Sequence, residues 1–198
     1  MKKRIKDIAE IQVGLYAKSS PGANAVYLQV SSFDSDRRLS ENLKPTVIIE
    51  GKKCHSLLRE GDLLFVAKGS YNFCTIYHAG EYPAVASTSF LVLRIKFLEL
   101  VLPEYVCWYI NLHSTLKLLA TDAAKGTAIP SISKADLEEL ELPIPSLECQ
   151  ERILKISQLQ AREACILKQL QVKRQQVLEY KLKSIIANEH QDYTRRHQ

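Results

Sequence analysis

The sequence predicts an α+β protein: a mixed domain with a mainly β core and packed helices, followed by a long C-terminal α-helix that forms a coiled coil. Three observations carry this. Short apolar runs separated by glycines fill the region up to Ile95. After Pro103 the apolar residues recur at threes and fours instead. From Leu147 to about Ala187 there is neither Gly nor Pro.

Val26-Tyr27-Leu28-Gln29-Val30 alternates as a half-buried strand does, and Thr46–Ile49, Leu63–Val66, Phe73–Tyr77 and Phe90–Ile95 are strand-like. Gly51, Gly61, Gly69 and Gly80 punctuate the runs as turns. Pro103 suits the first helical position, and Tyr105, Tyr109, Leu112, Leu116 and Leu119 then follow as one helical stripe. Gly126 and Pro130 bound a loop. Ser133 and Asp136 make a capping box that opens a short helix, and Pro143 and Pro145 stop it.

The segment from Leu147 is predicted as one helix. Glu148 and Glu151 lie in its first turn and Lys181 and Lys183 near its end, matching the helix dipole. Ile156, Leu159, Ile166, Leu170 and Val177 mark its apolar stripe, with Glu163 and Lys173/Arg174 as interruptions. Forty residues at about 1.5 Å each make a rod of about 60 Å. No other segment of the chain is long enough to cover it, so the stripe calls for a helix from another molecule. The organisation expected is a domain over 1–146, a spacer or dimerisation helix over 147–190 and a polar tail over 191–198.

Composition narrows the class. Of 198 residues 46% are hydrophobic and 25% charged, which excludes wholesale disorder. No stretch approaches the roughly 18 apolar residues of a membrane helix. The basic start, Met1 to Arg4, is followed by Asp7 and Glu10, so no secretory signal is expected. Five cysteines, odd in number and without Cys-x-x-Cys, read as reduced thiols in a cytoplasm. Residues 1–80 hold 12 basic and 8 acidic side chains, 81–146 hold 5 and 8, and 147–198 hold 10 and 6. A net charge of +5 permits an anionic partner such as nucleic acid without demanding one.

Motifs for chemistry are scarce. The sequence has no Gly-x-x-x-x-Gly-Lys-Ser/Thr, Gly-x-Gly-x-x-Gly, Asn-Pro-Pro-Tyr/Phe, His-Glu-x-x-His or Gly-x-Ser-x-Gly. No catalytic residue, cofactor or metal site is therefore expected. One fragment offers an alternative: Glu50 and Lys52 close an apolar run, with Asp34 and Asp36 upstream. Two carboxylates and a lysine could serve a Mg²⁺-dependent nuclease, although strand ends carry such residues simply as solvated groups. Lys68, Ser70, Tyr71 and Asn72 follow a strand and suit phosphate contact and base-edge hydrogen bonding. An ordinary polar turn accounts for them more simply.

Taken in order, the segments resemble half of a type I restriction-modification specificity subunit, one target recognition domain with its spacer helix. The residues that carry this are Ile5–Gly14, Leu58–Gly69, Ala86–Arg94, Leu102–Ile110 and Gly126–Ile132. Above all it is Leu137–Ile153, Leu-Glu-Glu-Leu-Glu-Leu-Pro-Ile-Pro-Ser-Leu-Glu-Cys-Gln-Glu-Arg-Ile, with two prolines one residue apart, then Leu, Gln and Ile as the helix begins. The resemblance implies a non-catalytic, cytoplasmic subunit that reads double-stranded DNA and holds modification and restriction subunits around the site. Full subunits of this family carry two recognition domains in tandem. A chain with one is expected to read one half-site and to self-associate through its helix. The DNA-contacting residues expected are Arg37, Arg38, Lys44, Lys68, Ser70, Tyr71, Asn72 and Lys125, with arginines on phosphate and Asn72 on a base. The other readings are the nuclease and a coiled-coil adaptor that binds no nucleic acid.

Overall fold

A computed structural model describes the backbone of residues 1–34, 36–69, 71–123 and 131–196, and their side chains apart from 121–123 and 186–196. In chain order the elements are β1 (Lys2–Arg4), α1 (Ile5–Ile8), β2 (Ala9–Val13), β3 (Val26–Leu28), β4 (Leu63–Val66), β5 (Cys74–Ile76), β6 (Ala84–Ala86), β7 (Phe90–Ile95), α2 (Pro103–Ile110), α3 (His113–Ala123), α4 (Lys134–Glu139), β8 (Glu141–Pro143) and α5 (Leu147–Arg196). The architecture is α+β. Two compact units divide the chain, Met1–Arg152 and Ile153–Gln198.

The first unit is built on an antiparallel sheet ordered β2-β7-β4-β5. Leu63, Leu64, Phe65 and Val66 of β4 are all fully buried. This explains why the strand reads as a continuous apolar run and not as an alternation: both of its faces are covered. Leu64 and Val66, with Val92 and Phe90 opposite them on β7, join a core that includes Val26 and Leu28 of β3 and Ala84 and Ala86 of β6. Strands β3 and β6 pair in parallel, a partnership that no local sequence pattern specifies. Helix α2 packs against β5, and α4 against α1 and β2.

Several local features follow directly from residue chemistry. Ser133 caps α4 as expected: its hydroxyl accepts from the Asp136 amide at 3.1 Å, and the Asp136 carboxylate accepts from the Ser133 amide at 2.9 Å. The stripe that begins at Pro103 is two helices, because Asn111 ends α2 and turns its side chain onto β5. The run Thr46–Ile49 is not a strand; Val47 makes a single bridge to Ala25. The short strands β1, β6 and β8 carry no strong period and become strands through their partners, whereas β2, Ala-Glu-Ile-Gln-Val, alternates along its length. Gly14 is fixed by space. A Cβ there would lie 2.0 Å from the Ser87 carbonyl oxygen, where β2 runs on to give the Leu15 amide to the Ala86 carbonyl at 2.9 Å.

Two buried polar side chains hold the frame. Asp62, 2% exposed, accepts from Arg94 Nε at 2.8 Å and Nη2 at 2.6 Å, and from the Arg59 amide at 2.8 Å. The Asp62 carboxylate beside Arg94 pushes its guanidinium pKa up, so Arg94 keeps its charge. Gln150, fully buried in the first turns of α5, accepts from the Leu102 amide at 3.0 Å and donates to the carbonyls of Leu100 at 3.0 Å and Pro145 at 2.9 Å. It ties the beginning of α5 to the segment that precedes α2.

Three substitutions should separate these contributions in chemical denaturation. Gly14→Ala should cost about 1–3 kcal/mol through overpacking. Asp62→Ala, which leaves Arg94 half-buried without its partner, should cost about 3 kcal/mol. Gln150→Ala should cost about 1–3 kcal/mol for the backbone groups left unpaired.

Candidate nucleic-acid interface

Two loops meet beside β5. The first runs from Phe33 to Leu39 and is closed by a bridge between those residues. Asp34 shapes it: its Oδ1 accepts the backbone amides of Asp36 at 2.8 Å and Arg38 at 2.9 Å, an Asx-type turn. Arg37 sits at the tip with φ 64°, a left-handed conformation that is costly for a residue with a Cβ. The second loop leaves β4 at Ala67 and returns through Phe73 into β5.

The strain at Arg37 is offset by what its guanidinium reaches. It donates to Asn111 Oδ1 at 2.9 Å and to the Tyr71 hydroxyl at 2.7 Å. It lies 5.4 Å from the Tyr71 ring centroid and 5.8 Å from that of Phe73, both within cation–π range. Asn111 also accepts from the Cys74 amide at 3.0 Å and donates to the Cys74 carbonyl at 2.7 Å. One amide therefore ties together the end of α2, the edge strand β5 and the tip of the first loop. Through Arg37 the clasp extends to Tyr71, whose side chain is held and yet 59% exposed. A cavity of about 400 Å³ opens beside the clasp, lined by Phe33, Arg37, Arg38, Thr75, His78 and Cys107 among others. In its wall the buried Cys74 thiol is held protonated, its pKa raised by the Cys107 thiol and by burial.

Of the residues expected to touch DNA, Arg37 and Tyr71 are in direct contact. Asn72 is beside Tyr71, half-buried, and its amide donates to the Val66 carbonyl at 2.9 Å, so it shapes the loop. Lys68 is exposed at the start of the same loop, where its backbone bridges to Ser131. Arg38 and Lys44 are exposed. Ser70 and Lys125 lie outside the described residues. Sequence reasoning missed Asn111 and Phe73. The available signal was an asparagine between Tyr109 and Leu112 in a helical pattern, a helix position that its local hydrogen bonding disfavours.

The fragment at Glu50 and Lys52 is placed elsewhere. Glu50 lines a groove of about 460 Å³ with Tyr16, Lys18 and Lys53, whereas the Asp34 carboxylate is occupied within its own loop. Among the described residues no group of three or more His, Cys, Asp or Glu side chains could hold a metal ion. No helix among them is long and apolar enough to cross a membrane. On α5, Ile156, Leu159, Ile166, Leu170 and Val177 are between 44% and 61% exposed.

No curated protein sequence matches the chain. Solved structures do. The HsdS subunit from Thermoanaerobacter tengcongensis matches with a TM-score of 0.66 at 21% identity, over 89% of this chain and 45% of that one. A chain from a structure of the type I R-M system, concerned with its complex assembly and conformational transition, matches with a TM-score of 0.65 at 18% identity, over 87% and 41%. The type I restriction-modification S subunit from M. genitalium matches with a TM-score of 0.52 at 14% identity, over 80% and 38%. The likeness at these identities is one of fold, and the chain spans less than half the length of each. The sequence pattern of one family, the type I restriction modification DNA specificity domain, fits residues 1–174, so the chain belongs to that family.

Proposed function

We propose that the chain is a non-catalytic, cytoplasmic specificity subunit that reads one half-site of double-stranded DNA. The observation that carries this is the family match across residues 1–174, which takes in both the mixed domain and most of the long helix. In this reading residues 1–146 recognise DNA. The helix over 147–190 docks the modification and restriction subunits and pairs with a second copy, and the polar segment from 191 continues the same helix as far as Arg196.

The loops divide the recognition work. Arg38, Lys44, Lys68, Ser70 and Lys125 contact phosphates, which carry affinity but little sequence information. Arg37 is not a loose phosphate ligand. Bonded to Asn111 and Tyr71 and stacked on two rings, it holds the reading surface in shape. Tyr71 and Asn72 sit at that surface, where a fixed position sharpens base discrimination.

Binding measured against salt concentration, on a selected target and on random duplex, tests this. Arg38→Ala and Lys68→Ala should weaken binding to both DNAs, each lowering the salt slope by about 0.9. Arg37→Ala and Asn72→Ala should instead lose preference for the target by about 1–3 kcal/mol while leaving random-duplex affinity nearly intact. Salt-insensitive binding, or none, would move the chain to the adaptor reading, and Mg²⁺-dependent cleavage by the chain alone would move it to the nuclease.

A further inference from the structure

The cavity beside the clasp has two cysteines in its wall, Cys74 of β5 and Cys107 of α2. Packing of α2 on β5 brings their side chains together. The thiols share a hydrogen bond, and Cys107 Sγ also donates to the Cys74 carbonyl at 3.4 Å. Their access to solvent differs. Cys74 is buried at 2% exposed, whereas Cys107 is half-buried. The cavity of about 400 Å³ that both line is ample for an oxidant little larger than water. The DNA contacts proposed above use neither thiol.

The pair lies against the hydrogen bonds that hold the reading loop. Asn111 follows Cys107 by one turn of helix. Its Nδ2 is 3.6 Å from Cys107 Sγ and 2.7 Å from the Cys74 carbonyl oxygen, the same oxygen that receives the Cys107 thiol. Its Oδ1 accepts from the Cys74 amide and from Arg37, which in turn bonds to Tyr71. A change at Cys107 therefore acts on groups that fix the tip of the first loop.

We propose that Cys74 and Cys107 are a peroxide-responsive dithiol, a modification site whose disulfide form slackens the clasp and lowers discrimination between DNA sequences. The effect on DNA rests on the recognition reading above; the thiol chemistry does not. The neighbouring thiol and burial keep Cys74 protonated, so peroxide meets Cys107 first. Cys107 yields its proton to water and its sulfur attacks one peroxide oxygen. The O–O bond breaks, hydroxide leaves and takes up that proton as water, and Cys107 becomes a sulfenic acid. Cys74 then attacks the sulfenic sulfur. Its own proton departs with the displaced hydroxide as a second water, and the S–S bond closes. Two thiols have lost two electrons and one peroxide has been reduced to two waters. Arg37 and Arg38 line the same cavity, where positive charge favours the departing hydroxide. A small-molecule thiol in excess returns the pair to its reduced form by exchange, as befits the transient disulfides of a reducing compartment. The bond removes the Cys107 S–H from the Cys74 carbonyl and draws the last turn of α2 toward β5. Asn111 moves with that turn, and Arg37 loses the partner that supports its strained backbone.

Hydrogen peroxide added to the full chain, followed by alkylation and peptide mapping, tests the chemistry. A linked Cys74–Cys107 peptide pair should appear and vanish on adding dithiothreitol. Cys74→Ala, with circular dichroism as a check on folding, should leave Cys107 as a sulfenic acid that dimedone traps, and Cys107→Ser should leave Cys74 unoxidised. Oxidation of the exposed Cys54 and Cys165 while Cys74 and Cys107 stay free would overturn the proposal, as would Cys107 passing to sulfinic acid unlinked. Binding of the same samples tests the consequence. Preference for the selected target over random duplex should fall at least about fivefold on oxidation, the lower end of what one base contact contributes, and return on reduction. Oxidised and reduced Cys107→Ser should show equal preference. A linked chain that discriminates as well as the reduced one would overturn the control of DNA reading. A reduced chain without any target preference would instead defeat the recognition reading, and the peptide map would still decide the dithiol.

Discussion

The burial of β4 on both faces is the constraint on which the first unit depends. Its four residues contribute no exposed surface, so the chain must supply one layer on each side of the sheet. The β3–β6 pair and the loops packed on it form one layer, and the short helices contribute to the other. A strand so enclosed cannot slip, because a shift of one residue would exchange the two faces and break both sets of contacts. The ends of β4 are therefore fixed points. At one end Asp62 is bonded to Arg94 of β7. From the other emerges the loop that carries Lys68, Tyr71 and Asn72.

A loop anchored at a rigid strand end is well suited to recognition, but an anchor alone does not define its tip. Here Asn111 completes the definition. It ends α2, one turn beyond the half-buried Cys107, and its amide is spent on Cys74 and Arg37. The left-handed backbone at Arg37 is the local cost, and the guanidinium contacts are the compensation. The contacts that offset this cost keep an exposed tyrosine in one place, which a merely solvated turn does not require.

The helix follows different rules. Beyond Arg152 the described apolar residues of its stripe, Ile156 to Ile185, stand exposed within their own unit. Glu163, Lys173 and Arg174 interrupt that stripe with charge. At the helix start, Gln150 grips the backbone at Leu100, Leu102 and Pro145, so that the first turns of α5 belong to the folded domain.

Much of this was legible in the sequence, and the boundary of legibility has a physical basis. The long helix, the capping box at Ser133, the enclosed run Leu63–Val66 and the strand Phe90–Ile95 all declare themselves through local period and local hydrogen bonding, which depend on neighbours a few residues away. The charge interruptions at Glu163 and Arg174 are equally local. The parallel pairing of β3 with β6, the loss of the strand expected at Thr46–Ile49, the break at Asn111 and the joining of Arg37 to Tyr71 depend on residues that meet only after the chain has folded. Helical order needs only adjacent turns of the same segment, so the sequence by itself determined it. Sheet partners and the shape of the loops beside β5 come from residues brought together by folding, such as Arg37 with Tyr71, 34 positions apart, and Arg37 with Asn111, 74 apart, and only the tertiary structure decided them.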